Sequence, residues 1–266
     1  MARLSVLVAW GFGFAIGATS SDSAVIVTGA TGRTGSLLYQ ALRDGGHAGP
    51  VRALVRNVTL AREVLKCTAC DESDGVYVGD VTDAGTLAEA FAGVNLLAIA
   101  TGVHGTEPRA VVEKVEWHGV KNQIGVFLSS GSEGKRVLLI SSMGTTEPPD
   151  ATSNAVMFYK LTAEAFLAGA GVPFAIVKPC GLSNDMGGKR LLAAGHDDSE
   201  TWFSEGYYVI PRADVARVAA EALVNPPAPA LRFDLCAYRD GSTDAGAVLQ
   251  SALLPWQKTL QGTAVV

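Results

Sequence analysis

The chain has 266 residues, of which 48% are hydrophobic and 18% charged, with 30 glycines and 11 prolines. That apolar content excludes intrinsic disorder, and the glycines follow no collagen-like period. A net charge of −5 provides no global attraction to nucleic acid, and no basic patch stands out. Four cysteines are too few for a disulfide-built scaffold, so one large domain with an ordinary apolar core is expected.

Leu4 to Ala18 is an uncharged apolar run behind Arg3. It is shorter than the ~20 residues of a bilayer span and reads either as a signal-type core or as a loosely attached apolar N-terminus. Residues 1–20 are therefore set apart as a leader, and 21–266 are taken as a single domain starting near Ala24. The sequon Asn57-Val58-Thr59 falls beside the cofactor site argued below, where a glycan would obstruct it. A cytoplasmic or organellar destination is expected, a plastid among the options.

From Ala24 onward, short β-branched runs alternate with helical spacing. Strands are expected at 24–29, 51–56, 75–80, 95–101, 136–141 and 173–179. Helices are expected at 34–42, 59–65, 84–92, 108–128 and 154–168. This alternation predicts right-handed crossovers and a parallel sheet covered on both faces, a doubly wound Rossmann-type α/β fold. After Pro179 the rhythm changes, and 181–206 reads as a small substrate-side lobe. A helix at 213–223, a last strand at 231–236 and a last helix at 243–253 complete the expectation.

The sharpest motif is Thr28-Gly29-Ala30-Thr31-Gly32-Arg33-Thr34-Gly35, between the first strand and the first helix. Gly29 permits the tight turn, Gly32 lets backbone approach a pyrophosphate, and Gly35 allows close helix–strand packing. Thr31, Arg33 and Thr34 lie along the same turn, where the helix N-terminus presents free N–H groups to an anion. At the end of the second strand an NAD site carries an Asp or Glu, whereas this chain has Arg56. A guanidinium suits a 2′-phosphate, with Arg33 as a second charge, so the expected cofactor is NADP(H). Asp80 and Val81 bracket the adenine in this reading, or Asp80 caps the next helix; Ala100, Thr101 and Gly102 run along the cofactor.

Beyond the turn, ALVRN, YVGDVTD, EWHGVKNQI (116–124), LISSMGTT (139–146), FYKLTAEAFL (158–167), KPCGL (178–182) and RADVA (212–216) occur in order. With VIVTGATGRTG these resemble the NmrA-like atypical short-chain dehydrogenase/reductases, most of all their plant and algal NAD(P)-binding members. The resemblance covers Ala24 to about Gly241 and implies an NADP(H)-binding Rossmann domain. In the wider superfamily a serine precedes a Tyr-x-x-x-Lys. Ser141 and Ser142 match the serine, Lys160 matches the lysine, and the tyrosine position is Val156. Tyr159 is roughly 100° away around the helix and cannot simply substitute.

Hydride transfer to a small carbonyl or quinone-like acceptor is the leading expectation, with Lys160 on the nicotinamide ribose. A non-enzymatic NADP(H) sensor is the alternative that Val156 favours. His104 and His196 are other proton-donor candidates, each also readable as a loop residue. Cys67 and Cys70 read as a local pair or a redox disulfide, since zinc would need two more ligands. Cys180 reads as core packing, and Asp214 as helix N-terminal electrostatics. Glu113, Lys114, Glu116 and Lys121 read as a solvated helix face.

Overall fold

The computed structural model describes residues 23–45, 47–103, 106–146, 152, 154–198 and 209–262. The leader and His104 lie outside these residues. Six strands, β1 (Val25–Thr28), β2 (Val51–Val55), β3 (Val76–Val78), β4 (Leu96–Ile99), β5 (Arg136–Ile140) and β6 (Phe174–Pro179), pair in parallel in the order β3-β2-β1-β4-β5-β6. The order reverses between β1 and β4, so the crevice for a ligand opens at the carboxyl ends of those two strands.

Period-two alternation sends Val25, Val27, Ala53, Leu96, Ala98 and Leu138 to one face and Ile26, Leu54, Leu97, Ile99, Val137 and Leu139 to the other. On the first face lie α1 (Gly35–Asp44) and α7 (Arg212–Val224). On the second lie α5 (Val120–Leu128) and α6 (Ala155–Ala168). Each fully buried Val, Leu or Ile contributes about 1.5–3 kcal/mol, which explains why these strands read as continuous apolar runs. α2 (Val58–Leu65) is capped by Asn57, whose side chain accepts the Leu60 N–H.

Three features depart from the expected pattern. The helix expected at 84–92 is a 3₁₀ turn at Ala84–Thr86 followed by α3 (Ala88–Phe91). The long helix is present, with α4 (Arg109–Val112) running through π-helical turns at Glu113–Gly119 into α5. The last strand, β10 (Ala230–Asp240), is much longer than 231–236. It pairs in parallel with β6 and antiparallel with β8 (Arg190–Gly195) and β9 (Val209–Pro211), while β7 (Gly181–Ser183) pairs with β9. The described residues after Pro179 thus extend the sheet edge, and 199–206 of the expected lobe lie outside the described residues. α8 (Ala245–Ser251) follows, and α9 (Pro255–Gly262) is a helix that the spacing does not announce.

Both cysteine pairs are closed, Cys67 with Cys70 and Cys180 with Cys236. Cys180 is buried in the apolar core, as expected, and is bonded there to Cys236 of the neighbouring strand. Asp74 lies close enough to complete a three-ligand group with Cys67 and Cys70, but both sulfurs are committed to each other and its Oδ2 accepts the N–H groups of Ala69 and Cys70.

Candidate functional site

The turn after β1 is built by close approach. Gly29 has φ +69°, and a Cβ there would lie 2.6 Å from the Ala100 carbonyl oxygen. A Cβ on Gly35 would collide with the Gly29 carbonyl, so α1 starts hard against the turn. The Gly32 N–H donates to the Gly29 carbonyl at 2.8 Å, closing the loop ahead of α1. The result is a backbone cradle at a helix N-terminus, which suits anionic oxygens.

Two cavities meet at this cradle and share Thr31, Gly32, Ala100, Thr101, Gly102 and Val103. The outer one, about 420 Å³, runs toward β2 and β3, where Gly29, Arg56, Asp80 and Val81 line it. Arg56 is exposed. Burial pushes the Asp80 carboxyl up, but the N–H and O–H of Thr82 and the Arg56 charge outweigh it and leave the group below its ordinary range. The cap of the next turn is Asp83, not Asp80.

The inner cavity, about 760 Å³, runs under β5 and β6 and is lined by Ser141, Ser142, Lys160, Cys180, Glu116 and Arg212 among others. Thr34 and Arg33 line it too. Arg33 lines the inner cavity and Arg56 the outer one, on either side of the shared turn.

Lys160 sits on α6 and donates to Glu116 Oε2 at 2.8 Å. Glu116 Oε1 accepts the Val103 N–H at 2.9 Å, so one carboxylate ties α6 to the strand exit where the cavities join. Glu116 is 2% exposed, which corrects the reading of a solvated face. Its neighbours four residues away, Val112 and Val120, are apolar and buried, and that spacing was the available signal.

Ser141 is buried and donates to Glu164, which also accepts from Arg232 Nε at 2.8 Å. Ser142, half-buried at the cavity wall, donates to the Met143 carbonyl at 2.8 Å. Tyr159 is buried and lies within 3.5 Å of Arg109 Nε, so it stands apart from the cavity. His196 Nδ1 lies 3.2 Å from the Arg232 carbonyl and does not line the cavity. Asp214 is fully buried and accepts from the Gly188 N–H and Arg217, anchoring the segment after β7.

Beneath the inner cavity, fully buried Lys178 pairs with Asp198 at 2.7 Å and Asp234 at 2.9 Å. Burial pushes Asp198 upward, yet the Lys178 ammonium and the backbone N–H groups of Gly144 and Thr146 hold it at about 2. Asp234, deeper, is raised because burial outweighs its share of Lys178.

Residues 29–226 match a family model described as NAD(P)H-binding. An uncharacterised chloroplastic protein of Arabidopsis thaliana is 32% identical over 246 residues, spanning 85% of this chain and 73% of its own. Sanguinarine reductase of Eschscholzia californica is 28% identical over 85% of this chain and 93% of its own. A solved structure of a putative NAD-dependent epimerase/dehydratase from Bacillus halodurans shares the fold, with TM-score 0.67 and 22% identity over 86% of this chain and 99% of that one. A glycine cradle at the switch point, two cavities meeting there, and a family match across most of the domain agree: the chain belongs to the NAD(P)H-binding family and is an NmrA-like Rossmann protein.

Proposed function

We propose that the chain is an NADPH-dependent oxidoreductase acting on a small carbonyl or quinone-like acceptor in the inner cavity. The observation that carries this reading is the Lys160–Glu116 pair at the junction of the two cavities, opposite the cradle from Arg56. Arg56 and Asp80 would hold the adenosine end, with Arg56 answering a 2′-phosphate, and Lys160 would hold the nicotinamide ribose. One ammonium hydrogen goes to Glu116 and the other two are left for ribose hydroxyls. When bound, the nicotinamide supplies a hydride. Ser141 donates its hydrogen bond to Glu164, so the more open Ser142 is the better partner for an acceptor oxygen. Ile140, Met143 and Leu182 add apolar wall to the cavity, in keeping with a planar, weakly polar acceptor. The likeness to a named reductase supports the same reaction class.

Val156 at the usual tyrosine position, with Tyr159 turned into the protein, supports a second reading as an NADP(H) sensor. A quinone-like acceptor removes that objection, because it takes its proton from water.

Calorimetric titration with NADPH and NADH, followed by an acceptor screen at the nicotinamide absorbance, tests both readings. Tight NADPH binding with turnover is expected; binding without turnover on any acceptor would favour the sensor, and no binding would overturn the cofactor assignment. Arg56→Ala is expected to weaken NADPH by about 1.5–3 kcal/mol, the value of a charged hydrogen bond, and NADH far less. Equal losses would remove the 2′-phosphate role. A plastid is the compartment favoured by the chloroplastic relatives, and imaging a fluorescent fusion of the full chain tests it.

A further inference from the structure

Five charged side chains line the inner cavity: Arg33, Glu116, Lys160, Asp198 and Arg212. Glu116 and Lys160 neutralise each other at 2.8 Å, and Asp198 is spent on Lys178 at 2.7 Å. What remains, among the described residues, is a pair of guanidiniums with no carboxylate.

Arg212 is 8% exposed at the start of α7, and among the described residues its Nη1 has neutral acceptors alone, Asn184 Oδ1 at 2.7 Å and the Leu182 carbonyl at 3.4 Å. A buried guanidinium without a counter-charge is costly, and a like charge beside it raises that cost. Both residues line one cavity, and burial first and the Arg33 charge second make Arg212 harder to keep protonated. Arg33 comes from the phosphate turn ahead of α1 and Arg212 from α7, and these two helices pack together on one face of the sheet. The neutral bonds to Leu182 and Asn184 fix the Arg212 head, while Arg33 is exposed and lines the same cavity.

We propose that Arg33 and Arg212 form a two-arginine clamp for the oxygens of a phosphate or carboxylate group entering the inner cavity. An anion between them would relieve both the missing counter-charge and the mutual repulsion, and forked guanidinium donors suit two or more oxygens at once. Two sources offer that chemistry: the pyrophosphate of the dinucleotide, and an acidic group on the second substrate. The clamp rests on the NAD(P)H reading only for the first of these.

The test uses Arg33→Gln, Arg212→Gln and the double variant of the full chain, titrated calorimetrically with NADPH, adenosine 2′-phosphate and inorganic phosphate. Adenosine 2′-phosphate engages the Arg56 end but has no pyrophosphate. If the clamp takes the pyrophosphate, each variant binds NADPH about 10-fold or more weakly and adenosine 2′-phosphate unchanged, in line with the loss of a charged hydrogen bond. If it takes a substrate anion, NADPH binding is unchanged while phosphate binding to the NADP+ complex falls about 10-fold or more in each variant. Either result supports the clamp, and in both the double variant loses less than the product of the single losses, because one anion is shared. Unchanged binding of NADPH and phosphate in Arg33→Gln overturns it. Arg33 is exposed, so that variant keeps the test decisive even where Arg212→Gln fails to fold, which thermal denaturation monitors. Should the parent protein bind no dinucleotide, the cofactor reading fails, and phosphate titration of the free protein against Arg33→Gln still decides the clamp.

Discussion

Glu116 joins three parts of the site through one carboxylate: the Lys160 ammonium, the Val103 N–H and the π-helical segment that carries it. Removing it leaves a largely buried ammonium without a counter-charge, so Glu116→Ala is expected to cost about 3–5 kcal/mol of folding stability. Glu116→Gln keeps an acceptor for Val103 and is expected to cost less. Denaturant titration of both variants checks the order, and losses below about 0.5 kcal/mol, the scale of a neutral surface change, would show that the pair is not coupled to folding. Gly29 makes a second residue-scale demand. With φ +69° and the Ala100 carbonyl 2.6 Å from any Cβ, Gly29→Ala combines a left-handed backbone with a collision. A loss of at least about 2 kcal/mol is expected from the backbone and steric terms together. A Tm unchanged from the parent would contradict the close approach.

The strands and their parallel arrangement were legible because strands buried on both faces are written as near-continuous apolar runs, as in Val25–Thr28 and Arg136–Ile140. The phosphate turn was legible because its glycines serve sterics that no other residue meets. Glu116 was not, because a carboxylate on a helix defaults to solvent and its partner lies 44 residues away. The separation of Arg33 from Arg56 was hidden for a related reason: residue spacing places both near the turn but does not say which side of it each guanidinium leaves on. The π-helical turns end where Gly119 packs closely, since a Cβ there would sit 3.1 Å from Val81 Cγ2. Gln123, fully buried, serves this junction by donating to the Gly119 carbonyl at 2.9 Å and accepting from Thr28 Oγ1 at 2.6 Å. Gln123→Leu takes the donor from the Gly119 carbonyl and leaves the Thr28 hydroxyl only its long bond to the Ala98 carbonyl at 3.4 Å, and is expected to cost about 1–3 kcal/mol. Adding Thr28→Val should restore part of that loss by removing the stranded hydroxyl, so a double variant no more stable than Gln123→Leu alone would refute the bridge.

At the scale of the whole molecule, the Lys178 cluster joins β6, β10 and Asp198 just beyond β8, so its charge state bears on global stability. Two carboxylates share one ammonium, and their shifts oppose each other. Asp198 is held at about 2, against 3.8 when unshifted, so it contributes stability at neutral pH that is lost as pH falls from about 4 toward 2. Asp234 is raised, so it takes up a proton in the folded state first, and the fall in pH above 4 relieves its buried charge. Stability carried by this cluster should therefore hold or rise as pH drops toward 4 and then decline. The decline assigned to Asp198 is about 1–2 kcal/mol once its partial exposure is discounted. Asp198→Asn is expected to lower stability at pH 7 and to flatten the acid limb, because the group that must be protonated is gone. Urea titrations of both proteins at pH 3, 4, 5 and 7 check this. Parallel curves, with the same loss at every pH, would mean that Asp198 acts through packing and not through its charge. A loss that is full at pH 5 and 7 and shrinks between pH 4 and 3 would tie the floor of the inner cavity to the ionic pairing of one lysine with two acids.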